Sequence, residues 1–230
     1  MSDDHEASAV RPDSSSASET DPPIAIESEP AAAAAIFGDR IALARAFTAD
    51  LVARGEELGL IGPLELPRIW SRHIINCAVV APLLRPGTVG DIGSGAGLPG
   101  IVLAIARPDV EFTLIEPMER RVAWLEEQRK LLGLDNVTVL RARAEDLKLH
   151  DRLDQVTARA VSAFSKLIPL AAPLLKRGGE MVLMKGAGAA KEIEAAEKAI
   201  RKYKLTDVEV LEVGASVGVD ITRVIRARVP

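Results

Sequence analysis

The chain has 230 residues, of which 48% are apolar, 27% charged and 3% aromatic, and its formal net charge is −4. That length supports one substantial core with extensions rather than two full domains. A lone cysteine, Cys77, excludes an internal disulfide framework and a cysteine-based metal site, and no apolar run reaches the roughly 20 residues that span a bilayer.

Residues 1–35 carry eight acids against one base, which leaves 36–230 at +3. Nucleic acid binding is permitted by that balance and not demanded by it. The opening Met1-Ser2-Asp3-Asp4 is acidic where a secretory leader would be basic and then apolar, so a cytoplasmic protein is expected. The whole 1–35 stretch is rich in Ser, Asp, Glu, Ala and Pro and reads as a disordered acidic tail, a solvated extension in preference to a partner-binding arm. From 36 to about 60 apolar residues recur at helical spacing, and a second helix is expected over 66–84 before Pro86-Gly87 ends it. Residues 36–86 thus form a helical preface.

From 87 the pattern becomes an alternation of strands and helices. Strands are expected at 88–92, 111–115, 137–141, 155–158 and 180–184, with helices at 98–106, 119–132, 165–176 and 189–201. The helix over 165–176 contains Pro169 and Pro173 and is expected in broken pieces. No helix-length segment separates the last two strands, 207–213 and 222–228, so they pair as an antiparallel hairpin. The fold class is therefore α/β: a mostly parallel seven-stranded sheet over 87–230, covered on both faces.

The most informative segment is Asp91-Ile92-Gly93-Ser94-Gly95-Ala96-Gly97-Leu98-Pro99-Gly100, between the first strand and its helix. Ligands bind at such turns in open α/β sheets, where glycine lets the backbone approach closely and a helix N-terminus offers free N–H donors. Gly95 to Gly100 matches G-x-G-x-x-G, a weak dinucleotide signal by itself. Asp91 argues otherwise, because a pyrophosphate would be repelled by it while the sulfonium and amino groups of S-adenosyl-L-methionine would be tolerated beside it. Glu116 ends the second strand, where an acid can accept both ribose hydroxyls. The terminal hairpin, in place of a further βα unit, tips the choice to S-adenosyl-L-methionine. After the third strand, Ala144 and Glu145 would meet the adenine; an ordinary helix N-cap with an acidic first turn is an equal reading of the same residues.

These motifs resemble the ribosomal RNA small-subunit methyltransferase G family, also called glucose-inhibited division protein B. The run 91–100, then Phe112-Thr113-Leu114-Ile115-Glu116, then Arg120-Arg121-Val122 carry the resemblance, with Ala158-Arg159-Ala160-Val161 and Leu183-Met184-Lys185-Gly186 further on. It spans about residues 40–228. Where family members commonly have Asn-Leu-Thr and His-x-x-Asp-Ser, this chain has Leu60-Ile61-Gly62-Pro63 and His73-Ile74-Ile75-Asn76-Cys77, while Arg72-His73 is kept.

The resemblance implies a Rossmann-like class I methyltransferase, with S-adenosyl-L-methionine as cofactor, S-adenosyl-L-homocysteine as product and no metal. The implied target is N7 of a guanine in the decoding-region (530) loop of 16S rRNA, met as RNA or within the small ribosomal subunit, with no membrane and no obligate protein partner. The family's cofactor positions fall on Gly93, Leu98, Ala144, Glu145 and Arg159; Asp91, Gly95 and Glu116 join them from the reading above. Guanine N7 already carries a lone pair, so in-line attack needs no general base and no catalytic residue is expected beyond positioning. Candidate substrate contacts are Phe164, which stacks on a base or anchors a buried helix entry at even odds, with Arg72, His73 and Lys185. Two further readings are a nicotinamide-dependent oxidoreductase, from the G-x-G-x-x-G overlap, and a non-catalytic ribosome-binding module.

Overall fold

The computed structural model describes residues 24–230. The acidic tail expected over 1–35 therefore lies, up to residue 23, outside the described residues. Beyond it the chain is engaged sooner than expected: Glu27 accepts the Ser71 N–H at 3.0 Å and Glu29 pairs with Arg45 at 2.6 Å. Helix α1 (Ala32–Phe37) starts inside the stretch assigned to the tail, because the alanine run buries Ala33 against the core.

Helix α2 (Ile41–Arg54) follows through a short 3₁₀ turn. The single helix expected over 66–84 is replaced by a chain of tight and wide turns: 3₁₀ at Pro63–Arg68, π-helical at Ile69–Ile75, one α turn, α3 (Asn76–Ala78), and 3₁₀ again at Ala81–Leu83. Pro67 and Pro82 remove the N–H groups that a continuous α ladder needs, while Ile69, Trp70, Ile74 and Ile75 still reach the core.

The remainder alternates β1 (Gly87–Ile92), α4 (Gly100–Ala106), β2 (Val110–Ile115), α5 (Glu119–Leu131), β3 (Val137–Leu140), β4 (Leu153–Arg159), α6 (Phe164–Ala171), β5 (Leu175–Lys185), α7 (Ala189–Ala195), α8 (Glu197–Tyr203), β6 (Thr206–Val213) and β7 (Thr222–Arg228). Several boundaries differ from expectation. β5 begins at Leu175, taking the end of the helix expected to 176; the helix expected over 189–201 breaks at Ala196; and α4 starts at Gly100 rather than 98.

The sheet order is β3-β2-β1-β4-β5-β7-β6, with β1 to β5 parallel and β7 antiparallel to both neighbours. Period-two alternation sends successive residues to opposite faces. Val182 and Met184 join the layer of Phe47, Ile74, Ile101, Phe112 and Trp124, whereas Met181 and Leu183 join Phe164, Leu167 and Ile225 on the other side. The N-terminal helices cover the first face. No helix among the described residues is long and apolar enough to cross a membrane. The strand order reverses direction between β1 and β4, so the turns after these two strands leave the sheet side by side at its carboxyl end. That crevice is where such sheets bind ligands.

Candidate active site

The turn after β1 is tied down by its neighbours before any ligand enters. The N–H groups of Gly93 and Ser94 donate to the Ile115 carbonyl at 2.8 and 3.3 Å, and the Trp124 indole N–H donates to the Ala96 carbonyl at 3.0 Å. Gly93 has φ +69°, and a Cβ there would lie 2.8 Å from Val161 Cγ2. Glycine is required twice over: by the dihedral, and by the approach of the turn that follows β4.

Glu116 is 2% exposed and stands between the turn and α5. Its Oε2 accepts the Gly95 N–H at 3.0 Å and its Oε1 accepts the Met118 N–H at 2.9 Å. A carboxylate has about four acceptor directions, so each oxygen keeps one for a ligand hydroxyl. The bonds to Gly95 and Met118 give Glu116 a structural role that the sequence did not signal and that leaves room for the expected one.

Asp91 is fully buried beneath the turn. Its Oδ2 accepts the Gly100 N–H at 3.0 Å, the first donor of α4, and its Oδ1 has no partner among the described residues. Burial pushes its carboxyl up to about 7, against the opposing pull of Ser94, the Gly100 amide and Arg159. A buried acid with one free oxygen suits a cationic ligand above it and would oppose a pyrophosphate. The buried atom without a partner and the close glycine cradle both fit S-adenosyl-L-methionine. Leu98 closes the turn at 7% exposure. Past β3, Ala144–Asp146 forms one 3₁₀ turn, with Ala144 half-buried and Glu145 exposed, 3.9 Å from Arg143.

Arg159 is the last residue of β4. Its Nη2–H donates to His73 Nδ1 at 2.9 Å and its Nη1–H to the Arg72 carbonyl at 3.3 Å. On the other side of the ring, His73 Nε2 lies 2.7 Å from Glu65 Oε2, and Arg68 bonds both oxygens of Glu65. Ala160, next in the chain, holds φ +55°, a conformation that costs a non-glycine residue about 1 kcal/mol or more and turns Val161 toward Gly93.

A cleft of about 1010 Å³ opens beside this turn, walled by Arg72, His73, residues 159–163, residues 185–187, Thr222 and Arg223. The glycine turn is not part of its lining and adjoins it through Val161, so turn and cleft are adjacent but distinct.

Two expected substrate contacts are corrected. Phe164 is fully buried in the layer beneath α6, so its ring offers no free face for a base; the anchor reading holds. Lys185, at 8% side-chain exposure, is spent on the Ser162 carbonyl at 2.6 Å and on Glu192 at 2.9 Å, while Glu192 also accepts the Phe164 N–H at 2.7 Å. It pins the β4–α6 turn. His73 lines the cleft but has both ring nitrogens engaged. Arg72 alone of the four is an exposed cleft residue whose side chain makes no ion pair among the described residues. Sequence reasoning missed Glu65 and Glu192, since nothing in their spacing marks them. Cys77 is buried, and burial pushes its thiol up to about 11, which leaves it unreactive.

The GidB family model, described as rRNA small subunit methyltransferase G, matches residues 40–220. A protein named ribosomal RNA small subunit methyltransferase G from Clavibacter michiganensis subsp. michiganensis (strain NCPPB 382) is 70% identical over 90% of this chain and 98% of its own length. One of the same name from Leifsonia xyli subsp. xyli (strain CTCB07) is 68% identical over 89% and 98%. Among solved structures, the N-methyltransferase NodS from Bradyrhizobium japonicum WM9, in complex with S-adenosyl-l-homocysteine, superposes with a TM-score of 0.53 at 18% identity, over 80% of this chain and 98% of that one. That last likeness concerns the fold, which is the class I methyltransferase architecture.

Proposed function

This chain belongs to the rRNA small subunit methyltransferase G family, and from that premise we propose that it methylates N7 of a guanine in the 530 loop of 16S rRNA in the cytoplasm, using S-adenosyl-L-methionine. The observation that carries the reading is the apposition of two turns: a glycine turn laid over a buried acid, and the Arg159–Ala163 wall of an open cleft, meeting at Gly93 and Val161. In this reading the backbone of Gly93, Gly95 and Leu98 would hold the donor, Glu116 would take its ribose hydroxyls and Ala144 with Glu145 would meet its adenine. Asp91 would offset its positive charge, and Arg159 would contribute to its placement. When bound, the donor supplies an electrophilic methyl group on a sulfonium and leaves as S-adenosyl-L-homocysteine.

The side chains here have little proton chemistry to perform, since guanine N7 is unprotonated at neutral pH. The cleft's one histidine fits that requirement: both nitrogens of His73 are occupied, and burial together with Arg159 lowers its pKa below the usual imidazole range. A cation against N7 would oppose the reaction, because positive charge moves from sulfur onto the purine. Arg159 has two of its donors committed to His73 and the Arg72 carbonyl, which restrains it from that position. What the chain supplies is alignment: holding base and methyl in line at the junction of turn and cleft converts an encounter into a unimolecular step. The base must be unstacked and exposed, since N7 lies in the deep groove of A-form RNA.

The test is methyl incorporation. Purified protein with labelled S-adenosyl-L-methionine should label small-subunit rRNA, offered naked and as intact small subunits, and nucleotide mapping should place the label on one loop guanine as 7-methylguanine. Label on another base or atom, or a protein that binds NAD and ignores the methyl donor in calorimetry, overturns the proposal.

A further inference from the structure

We propose that Glu65 and His73 are positioning residues that fix the guanidinium of Arg159 at the cleft for methyl transfer, an inference that rests on the reading above. Arg159 and His73 lie 86 residues apart in sequence and come from different parts of the fold, the end of β4 and the π-helical turn of the preface. Their contact defines a proton arrangement. A guanidinium can only donate, so His73 Nδ1 must be the acceptor at 2.9 Å; the ring hydrogen then sits on Nε2 and donates to Glu65 Oε2 at 2.7 Å. Only the neutral Nε2–H tautomer satisfies both bonds. A proton on Nδ1 would set donor against donor.

The charged groups facing the ring agree with that state. Burial, Arg159 from β4 and Arg72 from the ring's own segment disfavour the imidazolium, and Glu65 alone opposes them. Glu65 is in turn clamped by Arg68, which with His73 holds its carboxyl near 2, so it stays ionised as a fixed acceptor. The ring is only 12% exposed and is not available as a substrate contact. Arg159 is thereby held by one N–H to His73 and one to the Arg72 carbonyl, which leaves three donors of its planar fork for the site. An arginine left free would have to order a long side chain at each turnover.

The experiment is a double-mutant cycle with a spectroscopic check. His73→Gln can reach Glu65 but offers Arg159 no acceptor at the Nδ1 position, whereas His73→Asn places an amide oxygen there. In the full chain, His73→Gln should lower kcat/KM for small-subunit rRNA by about tenfold or more, and His73→Asn should recover most of it. In an Arg159→Ala background His73→Gln should cost little further. Losses of His73→Gln and Arg159→Ala that simply multiply, or an Asn variant no better than Gln, overturn the assignment. Independently of activity, ¹⁵N spectra of the wild-type imidazole at pH 7 should show a neutral ring protonated on Nε2. A ring protonated on Nδ1 overturns the geometry even if every variant misfolds. A wild-type enzyme without methyl transfer would fail the functional reading alone, leaving the imidazole spectra to judge the arrangement.

Discussion

Asp91 and Gly93 show how single residues divide the work of this site. Gly93 is legible in the sequence, since a turn between strand and helix invites glycine, but its second constraint, the Val161 side chain, is visible only in three dimensions. Gly93→Ala should therefore weaken binding of S-adenosyl-L-homocysteine by about tenfold or more in calorimetry, with a stability loss of about 1 kcal/mol from the positive φ. For Asp91 the sign of the pH effect follows from burial. Its carboxyl titrates near 7 in the folded protein against 3.8 otherwise, so between those values the folded state holds the extra proton and stability falls as pH rises. Asp91→Asn does not ionise. Relative to wild type, the variant should gain stability on going from pH 4 to pH 8, by an amount of order 2–4 kcal/mol in urea unfolding, while its affinity for the cationic donor falls. A gap between the two proteins that is flat with pH would refute the assignment.

At the scale of elements, the sequence placed each strand of the sheet within a few residues, because alternation and glycine–proline punctuation are local properties. It failed on the 63–84 segment, where a helical apolar period is built from 3₁₀ and π-helical turns around prolines. That wide turn presents Arg72 and His73 toward β4, a consequence no periodicity announces. The β4–α6 turn gives a second case. Lys185 looked like a substrate contact by type, yet with Glu192 it braces the Ser162 carbonyl and the Phe164 amide. Glu192→Ala leaves a nearly buried ammonium without its counter-ion and should cost about 2–3 kcal/mol in stability. Lys185→Met leaves behind a carboxylate that is 29% exposed and still accepts the Phe164 N–H, so it should cost less. Denaturant unfolding of both variants decides the order.

Over the whole molecule, the helical preface and the methyltransferase core behave as parts of one buried structure. Phe47 of α2 packs on Trp124 of α5 with ring centroids 6.4 Å apart, Arg54 lies 5.0 Å over the same indole, and Arg54 also pairs with Glu127 at 3.0 Å. Tryptophan fluorescence, from Trp70 of the preface and Trp124 of the core, and far-ultraviolet circular dichroism should accordingly report one coincident unfolding transition. Phe47→Ala should lower its stability by about 3–5 kcal/mol without splitting it, and two separated transitions would show that the preface folds independently. The class of fold, the glycine turn, its acidic partners Asp91 and Glu116 and the closing hairpin were determined by the sequence alone, since each depends on residue type and near-neighbour spacing. The partners of Arg159, the burial of Phe164, the spent amine of Lys185 and the cleft itself were decided by tertiary structure. Strand order brings β1, β4 and the preface together across long stretches of chain, and contacts of that kind leave no local trace.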